Sequence, residues 1–221
     1  MSLTLHFHPL SSFCQKALIA LYENDIPFEP HLINLFDEAD NAAFKKLWPI
    51  GKFPVLRDEA RDRTVPESSI IIEYLAQHYP GRSKLVPADA ELARRTRLSD
   101  RFHDLYVNVP VGKVVTDRLR PAGRNDPHGV EEAKALLKTS LDMIEADMAS
   151  KADMAGKTWA MGEAFTMADC AAAPALFYAN IVMPFAETHG TAAAYLGRLT
   201  ARPSYARVLK EAEPYLAMMP K

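Results

Sequence analysis

Gly51-Lys52-Phe53-Pro54-Val55-Leu56, continued after a polar run by Pro66-Glu67-Ser68-Ser69-Ile70-Ile71-Ile72-Glu73-Tyr74-Leu75, is the stretch whose reading decides the fold. A Gly-x-x-Pro turn enters a short apolar strand, the residues from Arg57 return a second strand ending near Val65, and an acidic residue with two hydroxyls opens an amphipathic helix. Three recognition devices fall together here. An X-Pro bond costs only about 0.5–1 kcal/mol to place in cis, so Phe53-Pro54 after a glycine turn is a candidate cis bond; it would turn the N–H and C=O of Phe53 outward to pair with an extended peptide. Ser68 and Ser69 at a helix start combine hydroxyls with unpaired backbone N–H groups, a carboxylate site. Glu67 offers a carboxylate to an ammonium group. Together they suit a small zwitterionic peptide. Taken alone, the stretch is read equally well as Pro54 opening an edge strand and Ser68 capping a helix.

Working outward, Leu3 to Phe7 reads as a strand stopped by Pro9. Ser11-Ser12 then precede the apolar periodic run Phe13, Ala17, Leu18, Ala20, Leu21, a helix to about Asn24, which puts both serines at its positive end. An extended stretch from Phe28 to Leu35 makes strand-helix-strand, a parallel crossover. Residues 36–47 are helical in patches. The resulting β-α-β-α-β-β-α order fills residues 1–80. Tyr79-Pro80-Gly81 ends the helix and residues 81–90 read as a linker. Beyond it the period turns helical: Glu91 to Leu119 and His128 to Ala149 form an antiparallel pair broken at Pro121, Gly123 and Pro127. Thr166-Met167-Ala168-Asp169 is a capping box before the apolar helix Cys170 to Val182, the expected core of an all-helical unit over residues 91–221. Two shorter helices follow, around 192–199 and 205–212.

Composition narrows the function. The 221 residues carry 26 Lys and Arg against 28 Asp and Glu, a net charge of -2 without a basic run, so no nucleic-acid partner is expected. No apolar stretch reaches the roughly 20 residues of a membrane span, and Met1-Ser2-Leu3-Thr4 opens no leader, so a cytoplasmic, unprocessed protein with no membrane partner is expected. Cys14 and Cys170 lie far apart and form no CxxC. His6, His8 and His31 have no metal-ligand spacing, and no metal is expected.

Several separated features now coincide. Ser11-Ser12-Phe13-Cys14-Gln15-Lys16, Pro49 to Leu56 with its cis-proline candidate, Glu67-Ser68-Ser69 and Thr166 to Asp169 occur in the order in which cytosolic glutathione S-transferases carry their first-helix, cis-proline, glutamate-serine and capping-box motifs. The chain resembles that family over its whole length, and its serine-type theta, zeta and tau members in particular. The resemblance implies a thioredoxin-like N-terminal domain with a mixed four-stranded sheet, binding glutathione as co-substrate, and an all-helical C-terminal domain lining a pocket for a hydrophobic electrophile. It also implies a homodimer.

On that resemblance Glu67 and Ser68 hold the γ-glutamyl end, Phe53 beside Pro54 pairs its backbone with the cysteinyl unit, and Lys52 meets the glycine carboxylate. Ser11, with Ser12 in reserve, donates to the sulfur and holds it as thiolate. Tyr106 on the first long helix is placed to reach the electrophile, though an aromatic there is also an ordinary core residue. Cys14, a turn into the same helix, is displaced from the cysteine position of thiol-type relatives and reads as a small buried residue. The expected reaction is conjugation of the glutathione thiolate to an electrophilic or peroxidic molecule. A glutathione-dependent isomerase, dehalogenase or disulfide reductase is the second enzyme reading, and a non-catalytic binding protein of the same fold is the rival.

Overall fold

Strand β1 (Leu3–Phe7) sits inside a four-stranded sheet of order β2-β1-β3-β4, with β2 at Glu29–Leu32, β3 at Val55–Asp58 and β4 at Arg63–Pro66. The structure, a computed structural model, describes residues 2–34, 37–152 and 158–220. β1 runs parallel to β2 and antiparallel to β3, which is antiparallel to β4, so the sheet is mixed as expected. The parallel pair is bridged by α1 (Ser12–Glu23); α2 (Glu38–Leu47) leads to β3, and α3 (Ser68–His78) follows β4. This is the thioredoxin-like arrangement. The expected strand from Phe28 to Leu35 shortens to four exposed residues at the sheet edge; Leu35 lies outside the described residues.

Helix α1 is buried from Cys14 to Leu21, because it packs on α3 of its own half and on α7 and α9 of the helical half. That double burial explains a run apolar on nearly every side, interrupted by Gln15 and Lys16.

The helical half comprises α4 (Ala90–Phe102), a π-helical segment (His103–Asn108), α5 (Val109–Asp117), α6 (Pro127–Ala152), α7 (Met167–Val182), α8 (Gly190–Ala201), α9 (Pro203–Ala212) and a 3₁₀ turn, Glu213–Met218. The sequence reads residues 91–119 as one regular helix, whereas the structure widens it at His103–Asn108. Pro110 is the reason. It has no N–H for the carbonyl four residues earlier, and its ring crowds that carbonyl. The carbonyl belongs to Tyr106, and it accepts the Ser140 hydroxyl of α6 at 2.8 Å instead.

Helix α7 is the core element, buried from Met167 to Leu176. At its start Asp169 accepts the backbone N–H of Thr166 at 2.9 Å, the return half of the expected capping box. Asp169 also accepts the Ala160 N–H and the Tyr195 hydroxyl, anchoring the loop before α7 and helix α8. Among the described residues no helix is long and apolar enough to cross a membrane.

Candidate active site

Strand register alone assembles the site. His6 lies opposite Val55, and Val55 opposite Pro66. The chain leaving β1 toward Ser11, the chain entering β3 through Phe53-Pro54 and the chain leaving β4 into Glu67-Ser68 therefore meet at one end of the sheet. Residues 11, 53 and 67, remote in sequence, become neighbours because two antiparallel pairings share that end.

Ser11 is the N-cap of α1. Its N–H donates to the His8 carbonyl at 3.0 Å and its Oγ accepts the Cys14 N–H at 3.3 Å. A hydroxyl has one hydrogen to give and two lone pairs, so accepting the Cys14 N–H does not spend the Ser11 hydrogen; a sulfur anion, which the helix N-terminus further favours, would draw that hydrogen away from the neighbouring Cys14 thiol. Ser12 is the first helical residue beside it. Cys14 is fully buried, and burial pushes its thiol up to about 12 against opposing hydrogen bonds from the Ser11 side chain and the His8 backbone. It is a packed thiol, as the sequence indicates, and not a nucleophile.

The Phe53-Pro54 peptide is cis. Among the described residues neither the N–H nor the C=O of Phe53 meets a backbone partner, which leaves both for an added strand. Lys52 is exposed. Glu67 joins β4 to α3 with φ 70 and ψ 120, a region that a residue with a side chain occupies at a cost of about 1–3 kcal/mol. Such strain concentrates at ligand sites, and here it exposes the carboxylate at the mouth of a helix N-terminus that no side chain caps. Ser68 follows at the first helical position, buried.

Ser69 departs from its expected part in the carboxylate site. Its hydroxyl receives Lys16 Nζ at 2.8 Å and donates to Asp100 Oδ2 at 2.7 Å. Lys16, only 1% exposed, also pairs with Asp104 at 2.8 Å and stands 2.6 Å from Asp100 Oδ1, and the half-exposed Arg101 closes the cluster onto Asp104 and Ser69. Burial, partly offset by Lys16, raises the Asp104 pKa above the usual carboxylate range. The cluster thus pins α1 and α3 to the α4 side through the residue next to Ser68. A lysine in an otherwise apolar helix run was the sequence sign of it; its partners lie 53 to 88 residues away and no local pattern names them.

Two aromatic groups join the sheet end that the sequence reading left out. His8 packs beside Phe53, and Tyr215 of the last turn meets the His8 ring edge-on at 5.6 Å between centroids. Tyr106 is not drawn into this cluster: its ring packs on Phe102 at 5.5 Å and is 47% exposed. The cavity of about 290 Å³ between α4 and α6, lined by Leu98, Phe102, His103 and Met143 among others, likewise contains none of the sheet-end residues. Among the described residues no three His, Cys, Asp or Glu side chains are placed to hold a metal ion.

This geometry can be set against known proteins. Residues 5–83 match the family model described as glutathione S-transferase, N-terminal domain, and residues 127–217 match glutathione S-transferase, C-terminal domain. The chain belongs to the glutathione S-transferase family. Among curated relatives of this transferase-family chain, Glutathione S-transferase GstB of Escherichia coli K12 is 24% identical over 168 residues, covering 76% of this chain and 78% of that one. A stringent starvation protein A homolog of Haemophilus ducreyi is 26% identical over 206 residues, covering 91% and 87%. A crystal structure of a glutathione S-transferase from Methylobacillus flagellatus with glutathione bound superposes with a TM-score of 0.83 at 22% identity, over 94% of this chain and 98% of that one. That likeness establishes the same fold, a mixed four-stranded sheet followed by helices.

Proposed function

We propose that the protein is a glutathione transferase that ionises the glutathione thiol with Ser11 and adds it to a hydrophobic electrophilic or peroxidic small molecule. The carrying observation is the convergence of Ser11, the unpaired backbone of Phe53, and Glu67 with Ser68 at one sheet end. In this reading Glu67 takes the γ-glutamyl ammonium and Ser68 with the α3 N–H groups its carboxylate. Phe53, set by Pro54, pairs with the cysteinyl unit, and exposed Lys52 meets the glycine carboxylate. Ser11 donates to the sulfur, with Ser12 adjacent, and Tyr106 forms part of the acceptor wall. The chemistry gains from holding both reactants in line and from an anion stabilised before it reacts. Residues 1–80 form the glutathione domain and 91–221 the acceptor domain.

A homodimer belongs to the proposal. Leu98, Leu105 and Val109 of α4, the π segment and α5, with Leu136 and Met143 of α6, present exposed apolar side chains on neighbouring helices, a face suited to a second copy.

The rival, a binding protein that keeps the fold without turnover, is favoured by one observation: the Haemophilus ducreyi relative, aligned over nearly the whole chain, bears a name that describes no transferase. Calorimetry with glutathione followed by a panel of electrophiles separates the two. The transferase reading predicts binding, turnover, and a 10- to 100-fold weaker affinity in Glu67→Gln, since a charged hydrogen bond is worth about 1.5–3 kcal/mol. Binding without turnover by the unaltered protein supports the rival.

A further inference from the structure

His8 is a titratable side chain of the sheet end to which the transferase reading assigns no work. Its ring is 8% exposed, set between Phe53 at 6.2 Å and Tyr215 at 5.6 Å between centroids. Its carbonyl holds the Ser11 N–H at 3.0 Å, so imidazole and serine hang from one tight turn. Within that turn Nδ1 lies 3.3 Å from the Leu10 N–H and accepts it. A neutral imidazole whose Nδ1 accepts carries its hydrogen on Nε2. Burial holds the His8 pKa below the ordinary histidine value, which keeps the ring neutral at pH 7. Nε2–H meets no partner among the described residues. This donor stands beside the nucleophile's helix cap between two aromatic rings, is not among the buried unpaired atoms, and is therefore open to an acceptor atom from outside the chain.

We propose that His8 is a second catalytic residue, whose Nε2–H donates to the oxygen of a conjugated carbonyl substrate as glutathione adds to it. The proposal rests on the transferase reading. In the step, the thiolate sulfur forms a bond to the β-carbon, the C=C electron pair moves to the adjacent C–C bond, and the carbonyl pair moves to oxygen, giving an enolate. Water then returns to the α-carbon the proton that the thiol released, so thiol and enone sum to one adduct with nothing oxidised or reduced. Negative charge develops on an oxygen, and a fixed neutral donor held between aromatic rings stabilises it more than it stabilises the uncharged ketone. An alkyl iodide develops its charge on a departing iodide, a poor hydrogen-bond acceptor, and gains little from the same group.

The test compares kcat/KM for cyclohexenone and iodoethane, with glutathione, in the full-length protein and in His8→Phe and His8→Gln. The phenyl ring keeps the aromatic packing without a donor, whereas the glutamine amide N–H reaches to about the position of Nε2–H. The enone-to-iodide ratio is expected to fall about 10- to 100-fold in His8→Phe and to be largely restored in His8→Gln. An unchanged ratio in His8→Phe, with glutathione still bound by calorimetry, overturns this role and leaves the transferase reading standing. So does a His8→Gln ratio as low as that of His8→Phe. Failure of the unaltered protein to conjugate either compound overturns both.

Discussion

At the scale of single residues, environment decides which of several similar groups has chemistry to offer. Ser11 and Cys14 lie one turn apart on the same helix end, yet only the serine is part-exposed, while burial drives the Cys14 thiol up to about 12. Native protein treated with iodoacetamide at pH 8 is therefore expected to remain unmodified at Cys14, and peptide mass mapping checks it. Modification there at the rate of a free thiol would return the disulfide-reductase reading to contention. His6, in the neighbouring strand, carries a signal of a different kind. Burial, and then the charge of His31, lower its pKa to about 4, against a smaller opposing pull from Asp40. The unfolded chain protonates His6 near pH 6.5, so between about 6.5 and 4 it binds a proton that the folded chain refuses. Stability is full above that window and declines as pH falls through it. Melting temperatures across pH 4 to 7 are expected to fall less steeply in His6→Leu than in the unaltered protein; parallel profiles would contradict the assignment.

At the scale of elements, what the sequence disclosed was what local physics controls. The β1 strand, the serine cap of α1, the cis Phe53-Pro54 turn and the Thr166–Asp169 box follow from neighbours within a few residues, and each is where the pattern put it. Two kinds of feature escaped. The π segment depends on Pro110 forcing the Tyr106 carbonyl onto Ser140, a partner on another helix. The Lys16 cluster joins α1, α3 and α4, and diverted Ser69 from the ligand role that its place beside Ser68 implied. His8 and Tyr215 escaped likewise, since nothing local says that the last turn of the chain meets the first loop. The cluster has a measurable consequence. Lys16→Met leaves Asp100 and Asp104 without their buried cation and with only the half-exposed Arg101 beside them, and loss of one partner of a buried ion pair costs about 3–5 kcal/mol. Urea unfolding is expected to show a loss of that size, while Arg101→Met, half exposed, costs far less. Equal small losses would mean that water reaches the cluster.

At the scale of the whole molecule, the two halves divide one task. In the proposed function the sheet end supplies a peptide-recognition surface and a sulfur ligand, and the helical half braces α1 from behind through α7 and α9. For the proposed homodimer, sedimentation equilibrium is expected to give twice the 24.6 kDa chain mass, and charged substitutions at the exposed Leu98 of α4 and Met143 of α6 to give single chains. A protein that sediments at the chain mass at all concentrations would contradict the homodimer. In the proposed mechanism Ser11 and the start of α1 turn a bound thiol into a thiolate. Ultraviolet difference absorbance of the glutathione complex, followed against pH, reads this directly. Bound glutathione is expected to ionise well below the free-thiol value of about 8.5, and Ser11→Ala to bind glutathione but return its thiol toward that value. Identical ionisation curves for the two proteins, or a bound thiol that ionises no earlier than a free one, would contradict it.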